Sequence, residues 1–186
     1  VRILVGCVIG RLSRKSETMT SDTAITYPFS SLPAPGKAVS IGTGLLWVRM
    51  PLPFALDHIN LWLLSAHDGW VIIDCGLSND ITRKLWEQVI EDVFHGEKVR
   101  KIVGTHHHPD HVGNAGWLVD RFDAQFWMAQ AEYFSAHALR DGTAGYAREK
   151  IAAMFLRNGL SEDFVPRILS GRDHYKRSVP DFPQSF

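Results

Sequence analysis

Cysteine is almost missing from this sequence: Cys7 and Cys75 are the only two. They form no CxxC and are too few for a disulfide framework, which excludes a stapled secreted scaffold and a cysteine-built zinc finger. A reducing cytoplasm is the simplest compartment for such a chain. Net charge is missing as well, since 20 Lys and Arg balance 20 Asp and Glu. Neither nucleic acid nor an anionic membrane is therefore expected as a partner, and no basic patch is visible; a small-molecule substrate is the partner expected. Long apolar runs are also lacking. Val1 to Gly10 is apolar apart from Arg2, about half the ~20 residues that a membrane-spanning helix needs.

The N-terminal stretch Leu4-Val5-Gly6-Cys7 resembles a lipoprotein cleavage site. It lacks the charged region and the longer apolar run that such a signal requires. Met19 offers a second start, so residues 1–18 are read as an extension or a misplaced start rather than a targeting signal. Residues 20–37 hold Pro28, Pro33, Pro35 and Gly36, and the whole of 1–38 is expected to be irregular or disordered. An ordered domain is expected over 39–186.

What the chain does have is histidine in one place. Four of its nine histidines fall in His106-His107-His108-Pro109-Asp110-His111, followed by Val112, Gly113 and Asn114. A buried loop could not leave that many imidazoles unpaired without cost, and an exposed one would more often use Lys, Glu, Ser or Gly. In an extended segment alternate residues share a side, so His106 and His108 can face one ion while His107 points away. Pro109 holds His108 extended and argues against continuation as a regular ladder or helix. Asp110 and His111 can converge on a second point in a turn. Imidazoles with a carboxylate suit zinc or another first-row metal, with iron or manganese as alternatives. Gly113 allows close backbone approach, and 114–122 reads as a helix with Trp117, Leu118 and Phe122 inward. His58, His67, His95, His137 and His174 are isolated and are read as surface or internally satisfied residues.

The surrounding pattern places this loop. Leu45–Met50, Ile59–Leu64 and Trp70–Cys75 read as strands, the last two joined by a turn containing Asp68-Gly69, a hairpin signal. Trp70–Ile73 is apolar on both faces, as in an inner strand. Ser78, Asn79 and Asp80 supply capping side chains for a helix carrying Ile81, Leu85, Trp86, Val89, Ile90 and Val93, which stops at His95-Gly96. Val99–Thr105 is a further strand, so the histidines follow a strand end, where sheet proteins place chemistry. From 129 to 171 the pattern is helical: one helix to Asp141, one ending at Gly159, and a third opened by Ser161. This segment is either a lid that shapes a substrate pocket or a plain packing layer. Residues 173–186 read as a connecting loop.

With those residues in view, His106-x-His108-x-Asp110-His111, behind the strand that ends Ile73-Asp74-Cys75-Gly76, resembles the metallo-β-lactamase-fold hydrolases. The likeness covers about residues 40–130 and is nearer the hydroxyacylglutathione hydrolase-like branch than the true lactamases. It implies an α/β chain forming the N-terminal part of an αββα sandwich, with a helical insertion towards its C-terminal end and a binuclear zinc site at one sheet edge. His106 and His108 would hold the first metal, and Asp110 and His111 the second; Asp110 would also orient the nucleophile or take its proton. Asp74 would steady the loop from behind the ligands, unless it merely caps its strand. The implied reaction is hydrolysis of an ester, thioester or amide by a metal-activated hydroxide. Alternatives are an iron-dependent sulfur oxidoreductase of the same superfamily or a non-catalytic truncated product. The sequence also departs from the family: after His111 only His137 and His174 remain, neither in a Gly-His turn, so each metal keeps two recognisable ligands. The chain is accordingly expected to end before its domain does. No substrate-binding residue can be named.

Overall fold

The first half of the sheet is a meander because its strands are joined by turns too short for a crossover. The computed structural model describes residues 27–143, 145–170 and 174–185, so the expectations for residues 1–26 lie outside the described residues. Tyr27 to Leu32 carry no helix or strand and are exposed. A compact unit begins at Pro33, ahead of the boundary at 39 read from the sequence.

Strands β1 (Ala38–Gly42), β2 (Leu45–Pro51), β3 (His58–Ala66) and β4 (Gly69–Ile73) pair antiparallel in sequence order. The hairpin anticipated at Asp68-Gly69 is present, with Ala66 opposite Gly69. Gly69 has φ +139°, and a Cβ there would stand 2.3 Å from the Lys98 carbonyl oxygen. Only glycine fits that turn. β1 was not visible as a strand in the sequence, being a five-residue edge element with one bulge.

Two crossovers then make the second half parallel. Helix α1 (Asp80–Val89) is capped by Asn79, whose side chain accepts from the Thr82 amide, and runs into a wider π turn over Ile90–Phe94 that ends at His95 in the left-handed region. It returns the chain to β5 (Val99–Gly104), parallel to β4. The one-turn helix α2 (Pro109–Val112) and α3 (Ala115–Phe122) lead to β6 (Gln125–Met128), parallel to β5. The six strands lie in the order β1-β2-β3-β4-β5-β6. α2 corrects the expectation that Pro109 would block a helix. Proline stands at the first helical position, where the missing amide hydrogen would have had no partner anyway.

One face of this sheet is covered. Val48, Met50, Leu61, Leu63, Ile72 and Ile102 pack in one cluster with Trp86, Val89 and Phe94 on one side and Val112, Ala115 and Leu118 on the other, all at most 1% exposed. Of the three residues expected to turn inward from α3, Leu118 is fully buried while Trp117 and Phe122 are partly so. The other face is different. Register places Trp47, Trp62, Ile73, Val103 and Trp127 in one row across five strands, and none of the five is buried. Trp47 and Trp62 stack at 6.3 Å. β4 is thus an inner strand, as expected, but only Ile72 among its residues is buried.

After β6 the chain is helical: α4 (Gln130–Asp141), α5 (Arg148–Arg157), a 3₁₀ turn over Glu162–Phe164 capped by Ser161, α6 (Val165–Ser170) and α7 (His174–Ser178). α7 corrects the reading of 173–186 as loop throughout. The segment that follows is anchored rather than loose: Val179 and Phe182 are buried, Arg140 donates to the Pro180 carbonyl at 2.6 Å and Tyr133 to that of Pro183 at 3.1 Å. Among the described residues no helix is long and apolar enough to cross a membrane.

The two faces of β3 should respond differently to truncation. Leu61 is fully buried and Leu64 is 39% exposed on the opposite face. Leu61→Ala is expected to cost about 2–5 kcal/mol in denaturant unfolding and Leu64→Ala less than about 1 kcal/mol. Equal losses would contradict the one-sided core.

Candidate metal centre

Parallel pairing of β4 and β5 with Ile73 opposite Val103 brings two strand ends side by side. The residue after one is Asp74; those after the other are Thr105 and the histidines. The Asp74 amide still donates to the Val103 carbonyl at 2.8 Å, and its backbone then turns into the left-handed region, φ +64°. Aspartate tolerates that region better than most side chains, at about 1 kcal/mol. The turn aims the carboxylate across at the β5 end. Asp74 is 4% exposed and its oxygens accept from the Thr105 amide (2.8 Å), the Thr105 hydroxyl (2.9 Å) and the His111 ring Nδ1 (2.8 Å). Asp74 thus ties its own strand end to the histidine loop.

These bonds decide which ring nitrogens are free. The Thr105 hydroxyl has one hydrogen and gives it to Asp74. At 3.1 Å from His106 Nδ1 it can therefore only accept, so His106 carries its proton on Nδ1 and leaves Nε2 with a lone pair. His111 likewise donates from Nδ1 to Asp74, and its Nε2 stands 3.6 Å from Asp110 Oδ2. His106 Nε2 in turn lies 3.0 Å from His108 Nδ1, and the His106 and His111 rings are 3.8 Å apart between centroids. Burial, and then the neighbouring His111 and His108, push the His106 imidazole below its ordinary range. It is the neutral ring that ligates a metal.

Four sequence-predicted donors are thus brought together in two pairs. Two ligands on one zinc at 2.0–2.2 Å in tetrahedral array stand about 3.3–3.5 Å apart. The 3.0 Å of His106 and His108 and the 3.6 Å of Asp110 and His111 lie close to that spacing. Within each pair the donor types and separations fit one ion; among the described residues, no group of three or more His, Cys, Asp or Glu is arranged to hold one. His137 does not join them: its ring packs against Tyr133 and Phe182.

Behind the loop, Asn114 is fully buried. Its amide nitrogen faces the carbonyls of Leu77 (2.9 Å), Cys75 and Gly76 (both 3.3 Å), while its oxygen accepts from Arg83. Gly113, where close approach was expected, is pressed between two chain segments: a Cβ would come within 2.5 Å of the Pro109 oxygen and 2.6 Å of the Ser78 nitrogen. The Cys75 amide also donates to the His111 carbonyl at 2.7 Å. The segment after β4 and the histidine loop are therefore sewn together through main chain. His107 points away, as anticipated, but is held: its amide and its ring Nδ1 both meet Glu132 Oε2, at 3.0 and 2.6 Å, and its carbonyl accepts from Tyr175. Sequence reasoning missed Thr105, Asn114, Glu132 and Tyr175. Asn114 stood beside the motif, and only its burial marks it. Glu132 and Tyr175 gave no signal, lying 25 and 68 residues beyond their partner. Of the isolated histidines, His58 pairs with exposed Asp57 at 2.6 Å.

Comparison with known proteins agrees with this fold. The model of the metallo-beta-lactamase superfamily matches residues 55–178. A beta-lactamase domain protein from Burkholderia ambifaria is similar at 37% identity with a TM-score of 0.69, over 86% of this chain and 44% of its own. A metallo-beta-lactamase family protein from Thermus thermophilus is similar at 25% identity and TM-score 0.54, over 70% of this chain and 43% of its own. The chain thus spans less than half the length of either. No curated protein matches.

Two outcomes test the arrangement. Asp74→Ala leaves Thr105 and His111 without their acceptor and should lower stability by about 1–3 kcal/mol in denaturant titration, with Asp74→Asn losing less. An unchanged midpoint for Asp74→Ala would show that the carboxylate does not hold the loop. Cys75 is fully buried, and burial followed by the Asp74 charge pushes its thiol well above its ordinary range. Iodoacetamide at neutral pH should label it only after denaturation, as read by peptide mass spectrometry.

Proposed function

The chain belongs to the metallo-beta-lactamase superfamily, and on that premise we propose that the complete protein is a metal-dependent hydrolase of an ester, thioester or amide, akin to the hydroxyacylglutathione hydrolase-like branch. One observation supports it most: with Thr105 and Asp74 as acceptors, His106 and His111 carry their hydrogens on Nδ1, leaving both Nε2 lone pairs for ligation. A histidine-rich turn with no ligating role has no reason to fix two tautomers alike.

His106 Nε2 and, with its hydrogen displaced, His108 Nδ1 would hold one zinc, and Asp110 with His111 Nε2 a second. The chemistry such ions supply is Lewis acidity, polarising a carbonyl and making water ionise near neutral pH. Asp110 would orient that water or accept its proton, a role its partial exposure allows. Asp74 accepts from Thr105 and His111 behind the donors, so it would orient the rings without reaching the substrate. Iron or manganese would suit the same nitrogen and oxygen donors.

The experiment is turnover by the full-length, metal-loaded protein on a panel of thioesters, lactones and amides, beside metal analysis. Hydrolysis of at least one class is expected, lost with a chelator and restored by zinc. Asp110→Ala should lower kcat by about 10²–10⁴-fold. A loaded protein inactive across the panel would refute the hydrolase. Oxygen consumption on a persulfide with bound iron would favour a sulfur oxidoreductase instead.

A further inference from the structure

We propose that Glu132 and Tyr175 are positioning residues for the metal ligands: from two helices they clamp the His107 main chain, and so set the separation of His106 and His108. The inference rests on the metal-site reading above and goes beyond it, giving the helical segment a task on the loop.

The argument starts from peptide planarity. The His107 amide belongs to the rigid unit that joins it to His106, and its carbonyl to the unit that joins it to His108. Glu132, in the first turn of α4, accepts from that amide at 3.0 Å. Tyr175, on α7, donates to that carbonyl at 2.5 Å. Both planes that aim the two ligand side chains are therefore gripped, one from each helix. The same Glu132 oxygen accepts from the His107 ring at 2.6 Å, so backbone and side chain of one residue close on a single acceptor. With His107 drawn to the helical side, its neighbours project to the other, where their nitrogens meet at 3.0 Å.

The chemistry of the two groups suits holding. The bond from the His107 ring, and then the one from its amide, keep the Glu132 carboxyl below its usual range. Burial, with Glu132 nearby, pushes the Tyr175 phenol far up. One is thus a charged acceptor and the other an intact donor across the working pH range. Neither needs to reach a substrate, since both act through His107.

The test uses the 186-residue chain and three variants: Glu132→Ala, Glu132→Gln and Tyr175→Phe. Zinc alone is titrated against a competing chelator, and hydrogen exchange of the metal-free peptide over 105–113 is followed with β2 and β3 as internal reference. Glu132→Ala and Tyr175→Phe should each weaken zinc binding by about tenfold or more, as is usual for residues that orient ligands. Both should speed exchange of the loop while the reference strands keep theirs. Glu132→Gln, whose amide oxygen still accepts from His107, should recover part of both effects, and it carries the test if the alanine variant fails to fold. Zinc affinities within about twofold of the wild type would overturn the proposal, as would exchange that rises in loop and reference strands alike. A wild-type chain that takes up no zinc would sink the metal reading instead, and loop exchange then decides the clamp alone.

Discussion

The candidate site of this chain hangs on one carboxylate at the end of one strand. Asp74 accepts three hydrogen bonds from the far side of a parallel strand pair, and through them it fixes the start of the histidine loop, the His111 ring directly and the His106 ring through Thr105. Charge-assisted bonds of this kind are about twice as strong as neutral ones. They offset the left-handed backbone that Asp74 adopts to make them. A parallel pair is what makes the arrangement available. Its two carboxyl ends emerge on the same side, so a side chain leaving one strand meets the main chain leaving the other.

Much of this was legible in the sequence, for physical reasons that can be named. The histidine loop declared itself by donor density, and β3, α1 and β5 by hydrophobic period and capping residues, with Asn79 serving as the cap. Asp68-Gly69 marked its hairpin because only glycine survives beside Lys98. What could not be read was everything decided by distant partners. β6 is four residues long and exists because β5 lies beside it. The short turns of α2 and α7 carry too few residues for a period to show. Glu132 and Tyr175 look like any surface acid and any helical tyrosine until the fold brings His107 against them. The pairing of His106 Nε2 with His108 Nδ1 likewise depends on side-chain angles that spacing alone leaves open.

The described residues form one sheet with a helical layer on one face. Helices cover the face that holds Leu61, Ile72 and Ile102, while the row from Trp47 to Trp127 lies on the opposite face. The donors are disposed in the same spirit, as two pairs rather than closed sets. Catalytic zinc is held by three protein ligands, so neither pair is sufficient by itself. The helices after β6, meanwhile, do more than pack: α4 and α7 both reach back to His107.

The contrast between ligands and support has a consequence for the order in which the protein acquires its shape. All four donors lie within six consecutive residues, close enough to meet an ion in a chain that has not yet folded. Asp74 and Thr105 are 31 residues apart and come together only when the α1 crossover has closed. Loop closure of that kind is the slow, entropically costly event in building parallel sheets. An ion captured early would bind the unfolded chain too, and that share of its affinity adds nothing to native stability. Only the increment that Asp74 creates by aligning His106 and His111 would work as a driving force, and it would arrive at the moment the two strand ends meet.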